Sequence, residues 1–380
     1  MKNLTTRALA LAAATLLAAC GGGGSDTTPK AGITSVAVFG DSLADVGTFG
    51  FKFTVQGTDS LVYPERVAQL YGQTLCPYFV AGSSGTTFTP NPTSGCTAYA
   101  IGKGRINNAT APSSPLSIIT QLQTAAATTT YAAKDLVLID GGGNDAADLI
   151  GAYLLAGRGS PASYSGLLTS LLGAGRTATL LGSPNGAVLA GGEYMVALAD
   201  AFSAAITANA LDKGATHVAI LNIPSITNTP RLEAVLSGIA AASGGGLTGA
   251  TARDRAEAVF KSWIEAFNAR LASNFAGNRK VVVIDFYKAL NDQVADPAQF
   301  ALTNATTPAC PVTGVGADGL PEYDFPICTA TALSAAPPSG VTDPNWWKTY
   351  GFSDGFHPTP AGHQLVSQLI SRALAQAGWL

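Results

Sequence analysis

The chain has 380 residues, a formal net charge of −3 at pH 7 and only 12% charged side chains, about half of the ordinary quarter. It contains no basic run, which excludes nucleic acid as a partner. The length suits one large domain or two small ones.

Taken from the start, Lys2 and Arg7 precede an apolar run from Ala8 to Ala19. That run is too short to span a bilayer and is built like a secretory signal. It closes on Leu17-Ala18-Ala19-Cys20-Gly21, which resembles the bacterial lipobox, in which the cysteine takes a lipid and becomes the first residue. Glycine after Cys20 resembles lipoproteins sent on to the outer membrane. The low-complexity stretch that follows has nothing to bury and reads as a flexible tether. Residues 1–19 are thus expected to be a leader, 20–32 a Gly-rich tether and 33–380 one domain. No later run reads as transmembrane. The expected location is outside the cytoplasm, lipid-anchored in the outer membrane on its periplasmic or surface face, or secreted.

Ser35 to Phe39 reads as a short buried strand, broken by Gly40. Ser42 in Gly40-Asp41-Ser42-Leu43 then lies where a strand ends and a helix begins, the usual place for ligand chemistry in an α/β sheet. Such a serine is a candidate nucleophile. The four residues Ser42 to Asp45 fit a helix capping box equally well. Ala98 to Gly104 reads as a loop or hairpin able to offer a backbone amide from Gly102 or Lys103. Leu136 to Asp140 is a second buried strand, followed by Gly141-Gly142-Gly143-Asn144-Asp145. Three glycines let backbone approach a ligand closely, and Asn144 brings an NH₂ donor to a strand end. A plain turn has the same composition.

Between these motifs helices and strands alternate, which implies a parallel sheet. Met195, Leu198, Phe202 and Ile206 recur at helical spacing, as do Phe260, Trp263, Ile264, Phe267 and Leu271. His217 to Leu221 and Lys280 to Asp285 read as strands, and Leu365, Leu369, Ile370 and Leu374 mark one face of a closing helix. About five strands are expected, with residues 150–187 a Gly/Ser/Leu-rich excursion near the site.

The chain holds three histidines. His217 sits in a strand and His363 on the last helix, where packing roles are the default. His357 differs, because Asp354 stands three residues before it, near enough to hold the imidazole tautomer and stabilise its charged form. Gly351-Phe352-Ser353-Asp354-Gly355 also fits G-x-S-x-G, but no strand precedes Ser353 and no acid and histidine follow well downstream, as that motif requires. Setting Cys20 aside, Cys76, Cys96, Cys310 and Cys328 allow three pairings. Sequence proximity favours Cys76–Cys96 and Cys310–Cys328. No cysteine–histidine spacing or carboxylate cluster suggests a metal, and no cofactor is expected.

Gly40-Asp41-Ser42-Leu43, a glycine at 102, Gly142-Gly143-Asn144-Asp145 and Asp354-Gly355-Phe356-His357-Pro358-Thr359 follow one another in the order of the four blocks of the SGNH, or GDSL, hydrolases. The chain resembles that family over residues 33–378, and its first and last blocks resemble the secreted bacterial lipase, esterase and lecithinase branch. The resemblance implies a three-layer α/β/α sandwich of flavodoxin-like type. It implies Ser42 as nucleophile and first oxyanion amide, Gly102 or Lys103 as second amide and Asn144 as side-chain donor, with His357 as base oriented by Asp354. The second block departs from the pattern, with Ala98 in place of its usual asparagine.

The expected activity is a serine carboxylic ester hydrolase acting on lipid or acyl esters through an acyl-enzyme. A polysaccharide O-deacetylase, phospholipase or thioesterase on the same site remains open, as does a non-catalytic lipoprotein binding lipid or glycan. The expected partners are an ester substrate and a membrane, reached through the lipid on Cys20, and the protein is expected to be a monomer. The aromatic loop residues Tyr78, Phe79, Phe88, Trp346 and Trp347 are candidates to line an acyl or sugar site.

Overall fold

A computed structural model describes residues 32–380. The expected leader and Cys20 lie outside the described residues. In chain order come β1 (Ser35–Phe39), α1 (Tyr63–Leu70), the hairpin of β2 (Phe79–Ala81) and β3 (Phe88–Pro90), α2 (Ile118–Thr128) and β4 (Asp135–Ile139). Four helices follow: α3 (Gly143–Gly157), α4 (Ala162–Leu172), α5 (Ala174–Leu181) and α6 (Gly186–Ile206). The second half holds β5 (His217–Leu221), α7 (Pro230–Ala242), α8 (Gly246–Asn274), β6 (Val281–Ile284) and α9 (Phe286–Ala295). The hairpin of β7 (Gly314–Val315) and β8 (Pro321–Glu322), α10 (Ala330–Ala335) and α11 (Pro360–Gln376) complete it.

The central sheet is parallel, in the order β1-β4-β5-β6. Successive side chains of a strand point to opposite faces, and here both faces are covered. Ala37, Phe39, Val137, Ile139, Val218 and Ile220 pack beneath α2, α3, α6 and α8. Val36, Val38, Leu136, Leu138, Ala219 and Leu221 pack against α1, α9 and α11. Burial on both sides is why these strands read as unbroken apolar runs. The result is the expected α/β/α sandwich.

The sheet has four strands, one fewer than expected. The place beside β1 is taken by Thr97–Tyr99, which makes only a single bridge. Val38 N–H donates to the Thr97 carbonyl at 3.0 Å and Tyr99 N–H to the Val38 carbonyl at 2.7 Å. The pairing does not grow into a ladder because side chains take the next backbone groups: the Thr97 hydroxyl donates to the Val36 carbonyl at 2.7 Å, and the Gln121 side-chain oxygen accepts from Gly40 N–H at 3.0 Å.

The helical stripes come out where the spacing put them. Met195, Leu198, Phe202, Phe260, Trp263, Ile264, Phe267 and Leu271 are all buried. In α11 the buried stripe is Val366, Ile370 and Leu374, while Leu365 and Leu369 are only half-buried. Residues Gly186–Leu211 form a helix long and apolar enough to cross a bilayer, contrary to expectation, but it serves as a core helix packed on α8. Residues 150–187 are mostly helical. Tyr164, Leu168 and Leu180 from α4 and α5 are buried in the same core cluster as α3 and α6, and none of these residues borders the site described next. The disulfides pair as sequence proximity favours: Cys76 with Cys96 and Cys310 with Cys328. The second lies in a separate small core with Phe53, Phe325, Trp346 and Trp347.

Candidate active site

The loops after β1 and β4 and the loop before α11 meet at the carboxyl edge of the sheet, where open α/β folds hold their ligands. The first loop brings Ser42. It does not start a helix, contrary to expectation, because the neighbouring carboxylates capture the amides that a helix would use. Asp41 Oδ1 accepts from Leu43 N–H at 3.0 Å, and Asp45 Oδ1 accepts from Gly47 and Thr48 N–H at 2.9 and 2.7 Å. Ala44 N–H closes a single turn onto the Asp41 carbonyl.

Gly40, at the hinge of this loop, is gripped by the Gln121 amide on both its N–H and its carbonyl, each at 3.0 Å. A Cβ there would overlap Asp140 Oδ1. That oxygen accepts from Asp41 N–H at 3.0 Å, while Asp140 Oδ2 accepts from the Tyr63 hydroxyl at 2.9 Å. Burial, then the charge of Asp41, raises the pKa of Asp140 well above the ordinary range.

Ser42 Oγ lies 2.7 Å from His357 Nε2. On the other side of the ring, Nδ1 is 2.8 Å from Asp354 Oδ2 and 3.0 Å from Oδ1. Asp354 Oδ1 also accepts from the N–H groups of Phe356 and His357, at 2.8 and 2.6 Å. Burial pushes the Asp354 pKa up, but the adjacent imidazole charge and these donors outweigh it and hold it below the ordinary value. The hydroxyl, imidazole and carboxylate thus form a continuous hydrogen-bonded relay, the arrangement that lets a serine be deprotonated as it attacks.

The turn after Ile101 stands opposite. Gly102 N–H donates to Asp45 Oδ2 at 2.8 Å, so the amide expected from Gly102 is already committed. Glycine is required here for another reason, since a Cβ would overlap the Phe53 ring. Lys103, at a left-handed φ of 69°, borders the cleft. Arg105 fixes its carbonyl at 2.7 Å, and Asn144 Nδ2 donates to the next carbonyl, Gly104 O, at 2.9 Å. A second and longer contact joins Asn144 Nδ2 to Asp41 Oδ2 at 3.4 Å. Asp145, beside Asn144, takes Ile106 and Asn107 N–H. Burial lifts its carboxyl to about 6.

Ser42, Lys103, Asn144, Asp354 and His357 all border one open cleft of about 470 Å³. The profile of the GDSL-like Lipase/Acylhydrolase family matches residues 36–370. The chain belongs to that family. This GDSL-like chain is also 27% identical, over an alignment of 177 residues, to a protein named Lipase 1 from Photorhabdus luminescens. The match covers 42% of the chain and 24% of that protein, so the chain spans only about a quarter of that relative's length.

The GDSL-like site contains aromatic residues that the sequence reading missed. Phe51, Phe53, Tyr323, Phe325 and Phe356 border the cleft, whereas Tyr78, Phe79, Phe88, Trp346 and Trp347 do not. Tyr78 stacks on Tyr99, and the two tryptophans are buried beside Phe325. The remaining serine and histidines are structural. Ser353 is fully buried, donating to the Pro358 carbonyl at 2.9 Å. His363 is fully buried and its Nδ1 accepts from Tyr63 N–H at 3.2 Å. His217 opens β5 at the opposite edge of the sheet and packs against Trp379. Among the described residues no group of three or more His, Cys, Asp or Glu could hold a metal ion.

Proposed function

We propose that this chain is a serine-dependent carboxylic ester hydrolase. The observation that carries the reading is the 2.7 Å contact between Ser42 Oγ and His357 Nε2 with Asp354 behind the ring. Ser42 Oγ attacks the ester carbonyl as its proton passes to His357. The tetrahedral oxyanion is held by the Ser42 amide, the Lys103 amide and the Asn144 NH₂ group. Asn144 Nδ2 is anchored on Gly104 O, and its longer 3.4 Å contact with Asp41 Oδ2 is the one the oxyanion would displace. His357 then gives its proton to the departing alkoxide, and water repeats the cycle on the acyl-enzyme.

Hydrolysis of p-nitrophenyl butyrate by wild type and by Ser42→Ala tests this. The variant should fall by about 10⁶-fold toward background, and a fluorophosphonate should label wild type at Ser42. Equal rates with no labelling would leave a non-catalytic binding protein.

The proposal extends to location. The Leu17-Ala18-Ala19-Cys20-Gly21 sequence and the two disulfides support an exported, lipid-anchored protein, since disulfides persist in oxidising compartments. Mass spectrometry of the N-terminal peptide from expressing bacteria should find a diacylated Cys20. An unmodified Cys20, or cleavage elsewhere, counts against the anchor.

A further inference from the structure

We infer that the acyl part of the ester is seated in a buried channel behind Ser42, and that this channel selects a short, unbranched acyl chain of about four carbons. The inference rests on Ser42 being the nucleophile. Two cavities meet at this residue. The open cleft carries His357, Asn144 and the charged side chains of Lys103, Arg105 and Arg231. The other is a narrow cavity of about 40 Å³ at the carboxyl edge of the sheet, reaching between α9 and α11. Its walls are mostly apolar, with Ile226, Leu290, Val294, Leu302, Ala305 and Val366 among them. Ser42 and Phe356 border both cavities.

The position of His357 decides which half of the ester goes where. It borders the open cleft and not the channel. In acylation the Ser42 Oγ–carbon bond forms, the carbon–alkoxide bond breaks, and the serine proton ends on the alkoxide by way of His357. The leaving oxygen must therefore lie on the cleft side. The acyl substituent of a centre bonded to Ser42 Oγ is then directed away from His357, toward the channel.

The chemistry of the walls agrees. Asn222 and Thr229 border the channel, but their polar atoms already bond Asp285, Tyr287 N–H, the Ile226 carbonyl and Leu232 N–H. Besides Ser42, the remaining polar side chains are Gln293 and the buried carboxyls of Asp41 and Asp140, which accept from Leu43 N–H, Asp41 N–H and the Tyr63 hydroxyl. A cavity of this size holds roughly three water-sized groups at ~10–15 Å³ each. The three carbons beyond a butyryl carbonyl match that space, and a decanoyl tail does not.

The test is kcat/KM on p-nitrophenyl acetate, butyrate, hexanoate and decanoate. In wild type each methylene up to butyrate should gain roughly fourfold to tenfold, and decanoate should fall at least about tenfold below butyrate. Leu290→Ala should move the optimum to hexanoate or longer, and Ala305→Leu should move it to acetate. Opposite shifts cannot come from general loss of folding. On the unmodified protein, labelling by alkylphosphonates with methyl, propyl and nonyl tails should be fastest for propyl. A wild-type optimum at decanoate, or a chain-length profile unmoved by both variants, overturns the inference. If Ser42→Ala is inactive in that case, the hydrolase reading stands and the acyl chain lies in the open cleft. If Ser42→Ala keeps full turnover, the reading beneath the inference fails instead.

Discussion

The Phe53 ring lies against the His357 imidazole with their centroids 5.2 Å apart, and Gly102 is what allows it to sit there. Phe325 meets the same imidazole edge-on at 5.4 Å. The imidazole is thus oriented by Asp354 from one side and by two aromatic rings from others.

Gly102→Ala should therefore act through Phe53. The added methyl overlaps the ring, and overpacking of this kind costs about 1–3 kcal/mol. A lowered melting temperature together with a reduced kcat is the expected result. A variant as stable and active as wild type would show that Phe53 does not depend on the missing side chain.

Asp354→Asn should keep the fold but leave the His357 tautomer unfixed. The expected loss in kcat is about 10⁴-fold with KM little changed. Steady-state kinetics on a short-chain ester measure it, and a loss of less than tenfold would mean the carboxylate has no part in proton transfer.

Asn144→Ala should lower kcat by about 10²–10³-fold, the range for one oxyanion donor. Because its amide also ties down Gly104, the rate should be measured beside the melting temperature. A rate loss that tracks unfolding would assign Asn144 to loop support alone.

Two buried groups should give stability opposite slopes with pH. Asp145 is raised by burial from 3.8 to about 6. Its proton is thus held more tightly in the fold, and its contribution to stability falls as pH climbs from about 4 to 6. The stability of wild type relative to Asp145→Asn should therefore decline by about 3 kcal/mol over that interval. His363 is lowered from 6.5 to about 3, by burial first and then by neighbouring cationic groups. The unfolded chain takes up its proton first, so the advantage of wild type over His363→Gln should shrink as pH falls from 6.5 toward 3. Urea melts at pH 4, 5, 6 and 7 read both slopes, and parallel curves for wild type and either variant would refute the corresponding assignment.

Opening the second disulfide should affect the site as well as stability. Cys310–Cys328 closes a loop with a sequence separation of 18 that brings Leu320, Tyr323 and Phe325 to the cleft. Replacing both cysteines with serine should cost about 2–4 kcal/mol and raise KM. The Cys76–Cys96 pair borders no part of the cleft, and its removal should leave KM unchanged.

Much of this was legible in the sequence because the strands are buried on both faces and so appear as continuous apolar runs, each followed by a polar or glycine-rich motif. The positions of Ser42 after β1 and Asn144 after β4 follow from that, whereas the Asp354–His357 pair, which follows no strand, was legible only from its three-residue spacing and from the resemblance to the family. What escaped depended on contacts distant in sequence. The helix expected at Ser42 is absent because Asp41 and Asp45 take its amides, and Gly102 is occupied by Asp45, 57 residues away. The aromatic lining at Phe53 and Phe325 belongs to irregular segments whose periodicity says nothing. The fifth strand is cut to a single bridge at Thr97–Tyr99 because the Thr97 and Gln121 side chains take the neighbouring backbone groups.

The hydroxyl and the imidazole of the relay are 315 residues apart in the chain. Translation therefore produces the first long before the second. The proposed relay therefore forms only once folding has brought these two distant segments together, and a protease that removes His357 would disarm it while leaving Ser42 in place.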